Sequence, residues 1–292
     1  MDESSSLPPR VLSAHLASMR QRGYSPATVY ARRRALARMA AVIPVPLLEA
    51  SPADLAAWRE GLTVTGNTAV QYAAHARAFY AWAVQAGRCQ SDPAAALALP
   101  RMIRGLPRPA GEDLLLSALE SAPPRVRPWL VLAGWAGLRA KEIALLRRER
   151  VLDTASPPVI LVASDATKGR RERLVPMSKF VVTEMRLCMP RGMGFVFPRC
   201  DGLPGANRPW TVSHVANDYL REYGFTLHQC RHRFGTAAYR ATKDLRAVQS
   251  LLGHADPATT AGYAAFDNTA AIAAVEAIPA PARMRSLGEA AG

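Results

Sequence analysis

Cysteine is scarce in this chain and never closely paired. Cys89, Cys188, Cys200 and Cys230 are the only four, and no two stand at C-x-x-C spacing. That pattern argues against a zinc site or a disulfide framework and fits a reduced, cytoplasmic setting. Long apolar runs are missing too. The longest, Pro128 to Leu138, is too short to span a bilayer, and the polar, acidic opening MDESSSLPPR is not a signal peptide. No membrane partner is expected. Neither a Walker-type glycine loop nor an acidic metal cluster is present, so no cofactor is expected, and no internal repeat appears. Acidic residues are in deficit, 23 against 37 Lys and Arg, which gives a net charge of +14. The excess favours a polyanionic partner, because neutralising phosphates releases counterions; a merely basic surface is the other reading.

What the chain does have is a concentration of chemistry near its C-terminal end. Residues 227–263 begin LHQCRHRFGT and end LLGHADPATTAGY, which packs His228, Arg231, His232, His254 and Tyr263 into one stretch. His228 and Arg231 are three residues apart, so a helix points both from one face. An arginine holds a phosphate with its planar fork, a histidine moves a proton, and a tyrosine oxygen attacks phosphorus. Leu251-Leu252-Gly253 reads as a helix end with Gly253 as a left-handed cap. Asp256-Pro257 reads as a new start, with Tyr263 in the second turn of a short helix.

The segments HQCRHRFGT, LLGHADPATTAGY and, upstream, AGLRAKEIALLRRERV resemble the motif boxes of the tyrosine recombinases, or phage integrases. That family's pattern is an arginine in a GLR-x-x-E box, a lysine on a β-hairpin, His-x-x-Arg, a second histidine or tryptophan, and a tyrosine nine residues on. Here those positions hold Arg139, Lys168, His228, Arg231, His254 and Tyr263, in that order. The resemblance implies DNA strand exchange through a 3′-phosphotyrosine, needing neither ATP nor metal. In it Tyr263 is the nucleophile, Arg139 and Arg231 hold the phosphate, and Lys168 is the general acid toward the leaving 5′ oxygen. His228 assists the phenol proton and His254 hydrogen-bonds a phosphate oxygen. Glu142 is read as structural, an ion-pair or helix-start carboxylate, and His232 as a buried structural donor. Gln229, Cys230 and Arg233 stand where Asp, Leu and Thr are frequent, which bears on packing around the site.

The fold expected is mainly α, with a small β-hairpin in the C-terminal domain. Residues 1–9 read as a disordered lead. Residues 10–98 read as a helical domain, starting with Val11, Leu12, His15, Leu16 and Met19 at helical spacing. Helices are expected from Ser25-Pro26 to Ala40, from Ser51-Pro52 to Glu60 and from Thr65 to Ala86. In the last of these Val70, Ala73, Ala74, Arg77, Ala78 and Ala81 follow a 3.6 period, while Phe79, Tyr80, Tyr72 and Trp82 read as core. Residues 99–110, rich in proline and arginine, read as a linker. Residues 111–278 read as the second domain, with helices at Glu112–Glu120, from Pro128 to near Gly137 and over Ala140–Arg148. Strands are expected at Val159–Val162 and Arg173–Val175, with a brief one at Phe195–Pro198. Residues 279–292 read as a flexible tail. The phrases QRGYSPATVYARRRAL and AFYAWAVQAGRCQSDPAAAL resemble the core-binding domain of the recombinases, which implies a helical clamp on double-stranded core-site DNA. Arg34 and Arg38 on a basic helix face, Arg104 and Arg108 in the linker, and Arg170 and Arg171 in the hairpin turn are the candidate DNA contacts. Arg173 reads as one more cation of that turn. The resemblance also implies a homotetramer on synapsed DNA, joined through the apolar helix Asn268–Ile278; completing its own core is the other reading of that helix.

A topoisomerase of the same chemistry, a non-catalytic DNA-binding relative and a metal-dependent nuclease are the competing readings. Domain order and the His-to-Tyr spacing favour the recombinase, and the helical domain's start near residue 10 implies no extra arm-binding domain. Integration or excision of a phage or mobile element is the expected role; chromosome-dimer resolution is the alternative.

Overall fold

The computed structural model of the chain describes residues 9–64, 66–98, 106–163, 172–190, 192–199 and 201–253. The chain divides into two compact units, residues 1–105 and 106–292. The readings placed on the lead before Pro9, the hairpin turn, the helix over 268–278 and the tail lie outside the described residues.

The first unit is built from α1 (Pro9–Gln21), α2 (Pro26–Ala40), α3 (Pro52–Glu60) and α4 (Gly66–Gln85). Ser25 starts α2 by accepting the Thr28 N–H at 3.2 Å, with Pro26 in the first turn. Ser51 and Asp54 form a reciprocal capping box for α3, with bonds of 3.2 Å and 2.8 Å. Each cap satisfies amide groups that a helix start otherwise leaves open. The expected stripe of α1 is buried at Val11, His15, Leu16 and Met19. α4 differs from its expected stripe. It buries Ala69, Ala73, Ala76, Phe79, Tyr80 and Ala83, whereas Ala74, Arg77, Ala78 and Ala81 are exposed. Alanine carries little transfer energy, so the rings of Phe79 and Tyr80 set the rotation of this alanine-rich helix. Tyr80 also donates its hydroxyl to the Leu47 carbonyl at 2.7 Å.

Among the described residues of this unit, one arginine is buried. Arg32 is 7% exposed, and its Nε donates to His75 Nδ1 at 2.8 Å while Nη1 lies 3.2 Å from His15 Nε2. His15 packs edge-on to Phe79 and against Trp82. Burial first, and then the Arg32 charge, push both imidazoles down to a pKa of about 4. An unfolded imidazole titrates near 6.5, so below that pH the unfolded chain binds more protons than the folded one. Stability is therefore complete above about 6.5 and falls as the pH drops toward 4. Calorimetry is expected to show the melting temperature falling from pH 7 to 4.5, and less steeply in His75→Gln, which keeps an acceptor for Arg32 without the titrating ring. Equal slopes in the two proteins would remove His75 from this account.

The second unit contains α5 (Glu112–Glu120), α6 (Arg127–Trp135), α7 (Ala140–Ala144), β1 (Val151–Leu152), β2 (Val159–Val162), β3 (Arg173–Pro176), α8 (Lys179–Cys188), α9 (Pro209–Leu220), α10 (Leu227–Thr242) and α11 (Leu245–Leu252). The three strands form an antiparallel sheet in the order β1-β2-β3, with Val151 opposite Ile160, Ile160 opposite Val175 and Val162 opposite Arg173. Val151, Ile160, Val162 and Val175 are buried in one core with the apolar run of α6, from Trp129 to Ala133. Ala110, from the stretch read as a linker, is seated in the same core and donates its N–H to the Gln229 carbonyl at 3.1 Å.

Two expectations for this unit change. The helix from Ala140 ends at Ala144 and does not reach Arg148. There the chain turns outward to pair, the Arg148 N–H donating to the Gly194 carbonyl at 2.7 Å and Leu146 accepting the Val196 N–H at 2.9 Å. Those bonds satisfy backbone groups beside the buried Val196, which continued helix would leave unpaired. Phe195–Pro198 accordingly makes single bridges to Arg147 and Ala206 rather than a strand. Among the described residues, no helix is long and apolar enough to cross a membrane.

Candidate active site

The site begins where α6 ends. Gly137 has φ +65°, and a Cβ there would collide with the Phe234 ring and press on Leu252. A glycine both adopts that backbone and admits those neighbours. The next turn delivers Arg139 as the extended residue before α7, with φ −78° and ψ 155°. Glu142, in the first turn of α7, accepts the Arg139 backbone N–H at 2.8 Å and its Nη1 at 2.8 Å. Glu142 is thus both a helix-start carboxylate and an ion-pair partner.

Helix α10 supplies Arg231. Thr226 and Gln229 cap its start reciprocally, and Leu227 and Cys230 turn into the core. Arg231 follows them on the inward side, and its side chain is only 2% exposed. It donates Nη1 to the Gly137 carbonyl and Nη2 to the Leu252 carbonyl, the latter at 2.6 Å, and lies 3.6 Å from Glu142. A third arginine joins from β3. Arg173 donates Nη1 and Nη2 to the two oxygens of Glu142, at 3.0 Å and 2.8 Å, and Nε to the Leu251 carbonyl at 2.8 Å. Arg139 Nη2 in turn reaches the Gly253 carbonyl at 3.4 Å.

Three successive carbonyls at the end of α11, those of Leu251, Leu252 and Gly253, therefore each accept from a different guanidinium. A helix end leaves its last carbonyls open and carries the negative pole of its dipole, so cations are favoured there. Gly253 closes the helix at φ +61°, and a Cβ on it would press on the Arg173 guanidinium at 3.0–3.3 Å.

The same three guanidiniums converge on one carboxylate. Glu142 is buried, with no side-chain exposure. Burial pushes its pKa up, but the Arg173 hydrogen bonds, the charges of Arg173 and Arg231 and the Arg139 N–H outweigh that, holding it below the usual carboxylate range. Three cations against one anion leave a surplus of about two positive charges, moderated by the dipole of α11. Of the three, Arg139 is the one that reaches solvent, with its side chain 26% exposed against 7% for Arg173.

His228 stands one turn before Arg231 and reaches the surface. Desolvation by the surrounding protein, then the charges of Arg231 and Arg139, lower its pKa below the ordinary value. His232 follows one turn later on α10, the two rings 4.5 Å apart and close to edge-on. Burial, then His228 and Arg231, push His232 down to about 4, so both imidazoles are neutral at pH 7. His232 is half-buried rather than enclosed.

Arg139, Arg231 and His228 are thus brought together, His228 and Arg231 as their three-residue spacing suggested and Arg139 as the resemblance implied. Lys168, His254 and Tyr263 lie outside the described residues, as do Arg104, Arg170 and Arg171. In the chain, Lys168 lies between β2 and β3, whose ends pair at Val162 and Arg173, and His254 directly follows Gly253. Arg34 and Arg38 are exposed on α2, with Arg34 5.9 Å from the Tyr30 ring and Arg38 donating to the Tyr72 hydroxyl. Arg108 is exposed. The residue that sequence reasoning missed is Arg173. Its signal was present: Arg173 and Val175 are two apart on a strand and share a face, and Val175 is core.

Comparison with known proteins bears on the family and the fold. The family model described as the phage integrase family matches residues 111–269, more than half of the chain. The tyrosine recombinase XerC of Xylella fastidiosa (strain 9a5c) is 34% identical over 203 residues, covering 65% of this chain and 67% of that protein. XerC of Rhodospirillum centenum is 29% identical over 273 residues, covering 85% of this chain and 80% of its own. Among solved structures, lambda integrase in a dimer bound to a COC′ core site shares the fold with a TM-score of 0.70 at 17% identity, over 87% of this chain and 94% of that one. On the extent of the family match and the identity to XerC, the chain belongs to the phage integrase family, the tyrosine recombinases.

Proposed function

We propose that this protein cuts and rejoins double-stranded DNA at specific sites through a covalent bond between Tyr263 and a backbone phosphate. The observation that carries the reading is the trio Arg139, Arg173 and Arg231, held on buried Glu142 and on the last carbonyls of α11 with positive charge in excess. The trigonal-bipyramidal phosphorane-like transition state of phosphoryl transfer gains negative charge on its oxygens. Preformed donors in a partly desolvated site stabilise such charge without reorganising. Arg139, the member that reaches solvent, is the direct phosphate ligand, and Arg231 contributes from the buried side.

In the forward step the Tyr263 oxygen bonds to phosphorus, and the bond from phosphorus to the 5′ oxygen breaks. His228, neutral at pH 7, takes the phenol proton, Lys168 delivers a proton to the leaving 5′ oxygen, and His254 hydrogen-bonds a phosphate oxygen. The 5′ hydroxyl of a partner strand then attacks the phosphotyrosine and releases Tyr263. The ester energy is conserved, so the cycle closes without an external energy source. Each protomer carries one such tyrosine, and exchange between two duplexes cuts four strands, which calls for a homotetramer on paired core sites. The helical unit of residues 10–98 and the linker of 99–110 hold the DNA, with Arg34, Arg38, Arg104, Arg108, Arg170 and Arg171 as backbone contacts. The protein acts in the cytoplasm of a bacterium, integrating or excising a phage or mobile element. The similarity to XerC favours chromosome-dimer resolution as a second reading.

The test is a library of nicked duplexes with a randomised core, incubated with the protein in the presence of a chelator. Complexes that survive SDS are recovered and sequenced, and the attached peptide is identified. The expected result is an enriched core sequence joined by its 3′ phosphate to Tyr263. Cleavage that appears only with added magnesium, or no surviving complex, would overturn the reading.

A further inference from the structure

Helices α1, α2 and α4 contain no aspartate or glutamate at all, yet Arg32 is buried among them. Among the described residues its polar partners are two imidazoles, and the charged or titratable groups that act on it are Tyr24 and Arg22. Because His75 Nδ1 accepts from Arg32, its hydrogen sits on Nε2. His15 accepts through Nε2, so its hydrogen is on Nδ1, which is buried without a partner. Among the described residues the cluster therefore carries one positive charge and no counterion. A buried guanidinium in that state is costly unless an anion reaches it.

An anion has a way in. An open cleft of about 410 Å³ lies between α2 and α4, with Arg32 and His75 in its lining. Its walls carry Thr28 and Gln71, and the small side chains of Ala31 and Ala74 leave room for a tetrahedral group. At 100° per residue, Arg34 and Arg38 fall on the same side of α2 as Ala27 and Ala31, so exposed cations continue from the cleft along the helix. A row of charges suits a polymer of phosphates better than a single small anion.

We propose that this cleft seats one phosphate of the DNA backbone, with Arg32 as its charged floor, the His75 Nε2–H as a further donor, and the Thr28 hydroxyl as another when the Ser25 hydroxyl, 2.9 Å away, donates to it. The assignment rests on the reading of the protein as a DNA-acting recombinase, and it gives the buried Arg32 a ligand that the exposed arginines of α2 only flank. It also accounts for the two neutral histidines. They hold the guanidinium in place without neutralising it, so its charge is left for the ligand.

The test uses the full chain and a 20-base-pair duplex of arbitrary sequence, since a backbone contact does not depend on sequence. Losing one phosphate contact lowers the slope of log K against log salt by about 0.9, which at 0.1 M salt is a loss of about tenfold in affinity. Arg32→Gln is expected to show that change, and Arg33→Gln, on another side of α2, to show less than half of it. Gln71→Glu is the second variant, because position 71 is exposed and a carboxylate there competes for Arg32 without disturbing packing. It is expected to weaken binding by tenfold or more. Histidine labelled with ¹⁵N supplies a direct readout: the His75 ring signals should shift saturably with duplex. A shift with inorganic phosphate but none with duplex would identify a free-phosphate site and overturn the assignment to DNA. Unchanged salt slopes in folded Arg32→Gln and Gln71→Glu would overturn the seat altogether. These outcomes are independent of adduct formation. Normal salt slopes with intact covalent attachment remove the seat alone, and lost attachment with the predicted slopes removes only the proposed reaction.

Discussion

Tyr263→Phe is expected to eliminate the covalent protein–DNA complex while leaving non-covalent DNA affinity within about twofold. The substitution removes one oxygen and keeps the ring, so packing and charge change little, but no atom remains to bond phosphorus. The drop should be to background, several orders of magnitude, because another nucleophile would have to be placed at the same in-line position. The companion measurement is the pH dependence of attachment by the wild-type protein. His228 has a pKa lowered by burial and by Arg231 and Arg139, so its proton-accepting form dominates at pH 7. Attachment should rise as the pH climbs toward neutrality and then level off, with the inflection below the ordinary histidine value of about 6.5. His228→Gln should flatten that inflection. A covalent complex at wild-type levels in Tyr263→Phe would refute the nucleophile, and an unmoved inflection in His228→Gln would refute the base.

Much of the helical framework was legible in the sequence. Helix punctuation was the most reliable guide: Ser25, Ser51 and Gly253 cap as their local chemistry dictates. His15 lies in the inward stripe its spacing implied. Local rules failed where tertiary contacts decide. In α4 nearly every face carries alanine, so periodicity picked a stripe that the bulk of Phe79 and Tyr80 overrode. Helix α7 stopped early because residues 146–148 found better backbone partners in 194–196, a contact that sequence does not announce. The largest omission was Arg173. In RRERLVP it looks like one more cation of a basic turn; strand alternation puts it on the face of core Val175, but its partner Glu142 comes from a distant helix. Arg32 hid for the same reason among the arginines of YARRRAL, since its burial depends on His15 and His75 from two other helices.

Glu142→Gln is expected to lower stability more than most single changes in this unit. The mutation leaves three guanidiniums facing one another, and two of them, Arg231 at 2% and Arg173 at 7% side-chain exposure, have little access to water. Removing one partner of a buried ion pair typically costs about 3–5 kcal/mol. For a domain of roughly 150–250 residues that corresponds to a fall in melting temperature on the order of 10 °C. The loss should depend on pH in a defined direction. Glu142 has its pKa lowered in the fold, so its contribution is complete above the unfolded carboxylate value and disappears as the pH falls through the folded one. Wild type and Glu142→Gln should therefore converge in acid. Attachment to DNA should drop by at least a hundredfold even where the variant is folded, because the Arg139 backbone N–H and guanidinium use separate carboxylate oxygens and the amide keeps only one acceptor, uncharged, for the two. Adding Arg173→Met to Glu142→Gln separates the two roles. Withdrawing one unpaired charge should recover part of the stability, a coupling that a double-mutant cycle measures directly. It should recover none of the attachment, since the charged, two-oxygen anchor of Arg139 is still gone. If the double variant regained activity together with stability, Glu142 would be a fold-stabilising carboxylate and the orientation of Arg139 would have to come from elsewhere.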